Sequence, residues 1–269
     1  MNIIYPDMQP IRFYKFGSTP DYQNYFPNFD NIYPGQTWFE GNYVTKYHTD
    51  WIINKTISIQ FFITVEGTED LDLYKYNSVT DTYELLTSIE PIAITPLGWE
   101  GFKCNKYDYT PTTEGVYYFK STSAGWISDK FAVHSLLKFR KRLVEVDYYH
   151  YENNYGLVFF DNTVPRYTPK AFFTGKLIPG SSNEISAFED EYSVELLRAT
   201  PRNTPTLKLT DIHISQLTRI NLIFSCSNLT INGITYQNKE GIESEPGSDT
   251  DLMNITVKLT QSNYQYYQQ

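Results

Sequence analysis

Cysteine, histidine and alanine are scarce in this sequence, and long hydrophobic runs do not occur. The chain has 269 residues and 2 cysteines, Cys104 and Cys226, far apart and without CxxC spacing. That excludes a disulfide framework and a structural zinc site, and leaves both thiols as small core residues. The 4 histidines, His48, His134, His150 and His213, are scattered, with no HxH or HExxH among them. A histidine metal centre is excluded on spacing. A G-x-S-x-G nucleophile turn, a phosphate-cradling Walker sequence and G-x-G-x-x-G are all absent, and neither cysteine has the setting of a nucleophile. No stretch approaches the roughly 18 consecutive apolar residues that a membrane-spanning helix needs. The opening MNIIYPDMQPIRFYKFG lacks the charged segment and apolar run of a secretory signal. The expectation is synthesis in a cytoplasm. Basic charge is also short. The net charge is −9 and the pI is near 5.0, the wrong sign for a duplex nucleic-acid binder. The one basic cluster is KFRKR at 138–142.

What is abundant is aromatic. Tyrosine (24) and phenylalanine (17) bring aromatic content to 17%, and such side chains suit the pleated surface of a sheet. The pattern predicts a mainly β protein in three parts. Residues 1–50 read as an extended aromatic, proline-dotted arm or irregular segment. Residues 51–135 show strands at 55–65, 70–86 (interrupted by a turn), 99–110, 114–125 and 127–134. Turn signals recur every 8–12 residues or so, as in an antiparallel sandwich. The segment TTEGVYYFK resembles the penultimate strand of an immunoglobulin-like domain, so an N-terminal Ig-like β-sandwich is expected. Residues 136–269 read as a second β-rich domain with one helix, 211–226, packed on a sheet. Thr210 or Asp211 is its expected cap, and Ile214, Leu217, Ile220, Ile223 and Phe224 form its apolar stripe. Asn232-Gly233 between LTI and ITY predicts a type I′ hairpin. Acidic stretches around 180–190 and 239–251 read as loops, between strands at 170–178, 191–198 and 253–261.

The stretch VEVDYYHYENNYGLVFFD at 144–161 poses the sharpest chemical question, because His150 stands near Glu145 and Asp147. Strand parity sets Val144, Val146, Tyr148 and His150 on one face and the two acids on the other. A general acid–base pair must converge on one reacting centre, so the stretch reads as a structural hairpin returning at 157–161. Two acidic groups invite comparison with the carboxylate pair of sugar-cleaving enzymes: Glu184, Glu189, Asp190 and Glu191, then Glu240, Glu243, Glu245, Asp249 and Asp251. They crowd Ser/Gly/Pro-rich stretches, read as solvated turns, and the D-x-[DN]-x-[DN]-G calcium pattern is missing. No catalytic, cofactor-binding or metal residue is assigned. Trp38, Trp51, Trp99 and Trp126 are candidates for stacking on sugar rings.

GWISDKFAV, VEVDYYHYENNYGLVFF, the long FFTGKLIPGSSNEISAFEDEYSVELLRATPRNTPTLKL, a helix and LTINGITYQN occur in that order. Together they resemble tail structural proteins of phages infecting Bacteroidetes, crAss-like phages in particular, over residues 125–259. The arginine-rich spacing that usually follows the T-P element in that family is thin here. The resemblance implies a non-enzymatic virion component, a tail hub or ring. It would assemble as a homo-oligomer around a central channel, against other tail or connector proteins, with DNA only as passing cargo. Net negative charge suits such cargo through like-charge repulsion. Trp38, Phe39, Tyr43, Tyr264, Tyr266 and Tyr267 are the candidate interface residues, since aromatic side chains are enriched where proteins meet. A host-surface glycan-binding module of fibre or adhesin type is the alternative.

Overall fold

The computed structural model describes residues 3–4, 9–11, 13–15, 49–64, 70–94, 102–121, 126–135, 143–151, 154–155, 158–159, 167–189, 194–247 and 252–261. Eleven strands come first in the chain: β1 (Ile3–Ile4), β2 (Phe13–Lys15), β3 (Thr49–Ile52), β4 (Ile57–Thr64), β5 (Leu71–Asn77), β6 (Thr82–Ile89), β7 (Ile92–Ile94), β8 (Phe102–Tyr109), β9 (Gly115–Ser121), β10 (Trp126–Ser128) and β11 (Phe131–His134). They form two sheets. One has the order β1-β4-β8-β7; the other is built on β9, flanked by β5 and then β6 on one side and by β10 and β11 on the other. The stretch 127–134, expected as one strand, is broken at Asp129 and Lys130. Its two halves take different outer neighbours: β2 pairs antiparallel with β10, and β3 runs parallel to β11.

Alternation in the sequence makes these sheets a sandwich. Ile57, Ile59 and Phe61 on β4 recur every second residue and face Leu71 and Leu73 of β5 and Tyr117 and Phe119 of β9 across one buried core. Aromatic rings fill it. Phe119 stacks on Phe131 at 5.1 Å, and Phe13 meets Phe61 edge-on at 4.9 Å. Burying each such ring contributes about 1.5–3 kcal/mol relative to leaving it in water.

The remaining elements are β12 (Leu143–Tyr149), β13 (Asn154–Tyr155), β14 (Val158–Phe159), β15 (Lys170–Ile178), β16 (Ser181–Glu189), β17 (Val194–Asn203), β18 (Thr206–His213), a 3₁₀ turn (Ile214–Gln216), α1 (Leu217–Phe224), β19 (Asn228–Ile231), β20 (Ile234–Pro246) and β21 (Leu252–Gln261). Six strands close into a barrel in the order β12-β15-β18-β21-β20-β19. The inward residues Val144, Val146, Tyr148, Leu207, Leu209, Ile255 and Val257 share one core with Ile220, Ile223 and Phe224 of α1. Asn232 at φ 50° and Gly233 at φ 85° turn β19 into β20, as the Asn-Gly pair demands.

Several expectations need correcting. The front of the expected arm belongs to the sandwich, because β1 pairs with β4 and β2 with β10. The hairpin expected from 144–149 back to 157–161 does not form. Both edges of β12 are taken by β15 and β19 in the barrel, and β13 pairs instead with β14. The helix is shorter than 211–226 and starts at Leu217. Residues 212 and 213 still pair with Met253 and Leu252, and the N-cap is Gln216, which makes no side-chain capping bond. Asp211 sits at φ 59°, and Ile214 is 49% exposed, outside the buried stripe. The acidic stretches expected as loops are largely strand: 181–189 is β16, and β20 runs on to Pro246. Cross-strand pairing outweighs the poor strand propensity of Glu and Ser there.

Candidate functional site

The candidate interface residues Trp38, Phe39, Tyr43, Tyr264, Tyr266 and Tyr267 lie outside the described residues, as do His48, Trp99 and all of KFRKR. Trp51 is wholly buried, donates its indole N–H to Lys55 O at 2.7 Å and packs on Phe172, so it is no sugar platform. Trp126 leans on the sandwich core. The parity argument at His150 holds. Val144, Val146 and Tyr148 are buried, and His150, 7% exposed, stacks on Tyr151. Glu145 and Asp147 point elsewhere and engage Lys170, with Lys55 reaching Glu145 from the sandwich. Cys104 is fully buried, and burial pushes the Cys226 thiol up to about 12, so it stays protonated and unreactive. Among the described residues no group of three or more metal-ligating side chains comes together. Glu240 and Glu243 instead share Lys258, at 3.0 and 3.1 Å.

What the sequence reading overlooked is the outer face of the β6-β5-β9 sheet. Tyr74 and Tyr76 alternate along β5, and each meets a ring from a neighbouring strand. Tyr74 stacks flat on Tyr118 at 4.9 Å, while Tyr83 stands edge-on to Tyr118 at 5.0 Å and near Tyr76 at 5.3 Å. Beside these rings lies Lys130, at the break in the β10/β11 strand. It is 2% exposed, with Nζ 4.6 Å from the centre of the Tyr83 ring. The ring face favours an ammonium by about 0.5–2 kcal/mol, but burial of a charge costs more. Burial wins, and the Lys130 pKa falls to about 6. Burial, with Tyr74 beside it, raises Tyr118 to about 12. The available signal was parity: tyrosines at 74, 76 and 83 fall on one face once the β5–β6 register is known.

At the end of this face a groove of about 480 Å³ opens, lined by Lys75, Glu84, Leu85, Leu86, Glu114 and Val116 among others. A bulge shapes it. Leu73 pairs with Thr87 and Tyr74 with Leu85, so Leu86 is the extra residue. A bulge re-aims side chains, and Leu85 and Leu86 are 56% and 49% exposed. Glu84 takes hydrogen bonds from Asn77 and Thr80. Lys75 turns away, donating to Thr113 at 2.8 Å over the Tyr117 ring. Among the described residues β6 pairs only with β5, so its outer edge is open.

A second open element belongs to the barrel. β16 and β17 continue β15 and β18 beyond the barrel wall and, among the described residues, form strand pairs only with each other, with Asn203 at the base of β17 donating to Gln261 of β21. The bend between the two parts is tight: Thr204 N–H donates to Gly180 O at 2.8 Å, and a Cβ on Gly180 would stand 2.4 Å from Thr204 O. Only glycine fits that approach.

The two units are fastened together. The Tyr167 hydroxyl lies 3.0 Å from both Gln9 Oε1 and Ser58 O, which share its one hydrogen. Arg219 of α1, 4% exposed, donates to Pro10 O, and Phe172 of β15 packs within the sandwich core. Burial works to raise the Glu145 pKa, but Lys170 and Lys55 outweigh it and hold that carboxyl below its usual value.

Among the described residues this arrangement offers a tyrosine face, a groove and an open strand edge. Among the described residues no helix is long and apolar enough to cross a membrane. No protein-family model and no curated protein matches the chain.

Proposed function

We propose that the protein is a structural subunit of a bacteriophage tail, a hub or ring component that repeats around a central channel and catalyses nothing. The observation that carries this reading is the β16–β17 hairpin, an arm continuous with barrel strands whose only strand partners among the described residues are each other. A ring subunit needs rigid bodies and arms that reach its neighbours, and repeated head-to-tail contacts close into a ring when the rotation allows. The seam through Tyr167, Arg219 and Glu145 supplies the rigidity. The sandwich, in this reading, is immunoglobulin-like. Its sheet orders β1-β4-β8-β7 and β6-β5-β9-β10/β11 correspond to the ABED and C′CFG sheets of that fold. Mass spectrometry of purified particles is the test. The chain should appear at one fixed copy number per tail, and its absence from intact particles overturns the proposal.

A glycan-binding role is favoured by one observation, the tyrosine face of Tyr74, Tyr76, Tyr83 and Tyr118. Binding of the purified chain to a glycan array, lost on Tyr76→Ala, would establish it in place of the ring.

A further inference from the structure

The open edge of β6 and the open hairpin β16–β17 answer each other. We propose that strand β17 of one copy adds to the β6 edge of the next, and that this strand addition is the contact that propagates the assembly. This rests on the ring reading above and names its contact.

Three observations converge on it. First, both elements carry open edges of comparable length, each bulged once, at Leu86 and at Leu197, and Pro201 of β17 supplies no N–H. β6 has 8 residues and β17 has 10, and each pairs on one side only among the described residues. A two-stranded hairpin is marginal in water by itself and gains from a further strand. An exposed edge with apolar side chains is a template for one. Within the chain the barrel offers no such edge, because it is closed. Second, the apolar content matches. β17 carries Leu196 and Leu197 in VELLRATPRN, and the groove presents Leu85 and Leu86, both about half exposed at the bulge. Third, the charges are complementary. Glu84 and Glu114 line the groove, and its one lysine, Lys75, is drawn toward Thr113. Among the described residues no lysine or arginine pairs with Glu84. β17 carries the arm's only basic residues, Arg198 and Arg202, against a single acid, Glu195. Main-chain hydrogen bonds give such a contact its affinity, while the leucines and the carboxylate–arginine pairing fix register.

The contact is heterologous, since donor and acceptor lie on different units of the chain, and this makes a sharp experiment available. Sedimentation of the full chain over a wide concentration range measures self-association. A donor variant, R198E/R202E, and an acceptor variant, L85K/L86K, are each expected to raise the dissociation constant about 100-fold, because like charges and buried lysines oppose docking. Mixed together, the two variants retain one intact donor and one intact acceptor. The mixture is expected to associate at least to a one-to-one dimer through that intact pair. Melting temperatures of all variants read folding separately, and L85K/L86K sits at exposed positions. The proposal is overturned if both variants assemble as the wild type does, or if the mixture fails to dimerise while wild type associates. It is also overturned if the wild type stays monomeric at millimolar concentration. The ring reading fails on different evidence, the absence of the chain from particles.

Discussion

The barrel and the sandwich solve the edge problem in opposite ways. The barrel closes β12 onto β19, so every strand in it has two neighbours, and what is left over leaves the wall as one long hairpin. The sandwich stays open, with β6 unpaired on its outer side and two leucines turned outward by a bulge. Sequence composition is similar in the two regions, rich in tyrosine and poor in alanine, yet one is self-satisfied and the other is not. Closure therefore depends on register and connection rather than on residue type.

The largest expected effects compare the two cores. Phe119→Ala in the sandwich and Phe224→Ala in the barrel each remove a fully buried ring, at a cost of about 3–5 kcal/mol. The seam predicts that both substitutions lower one shared calorimetric transition. Two separated transitions would mean that the units melt independently.

Lys130 gives the next effect and belongs to the sandwich alone. Its pKa falls from an ordinary 10.5 to about 6, so between those values the unfolded chain binds one more proton than the folded chain. Stability therefore rises with pH across that window, by up to about 1.4 kcal/mol per unit. Lys130→Met removes this slope and stabilises the protein at neutral pH by about 1–4 kcal/mol. Denaturant titrations at a series of pH values check it, and an unchanged slope in the variant would refute it.

Smaller still is the seam. Glu145 has a lowered pKa, so its contribution is present above its ordinary value near 4.5 and is lost as pH falls through the folded value. Glu145→Gln should cost about 1 kcal/mol at neutral pH, since the group is partly exposed. Its acid-denaturation curve should lose that portion of its pH dependence. Last, Leu85→Lys with Leu86→Lys should change the stability of the single chain by no more than about 0.5 kcal/mol. A larger loss would show that these leucines hold the fold rather than await a neighbour.

Much of the architecture was legible in the residues. Alternation placed β4, β5, β8 and β9, and Asn232-Gly233 located its turn, because those signals are local. The closure of the barrel was not legible. VEVDYYHY reads as half of a hairpin when only its nearest neighbours in sequence are considered, whereas its partners are 170–174 and 228–231. The arm was missed for the related reason that Ser, Asn and Glu at 181–184 signal a turn until β17 pairs with them. At the candidate site, Lys130 stands in SDKF with no local signal of its burial. Nothing nearby in sequence tells that Tyr83 of β6 lies against it.

The joining of Val146 to Ile231 has a kinetic consequence. Strands so distant in the chain meet only after a large loop is drawn shut, which makes such topologies slow to form. The local β19–β20 hairpin should gain protection in pulsed hydrogen exchange well before β12 does. Until that last strand arrives the newborn barrel is an open ribbon, briefly as adhesive as the arm that the finished molecule keeps.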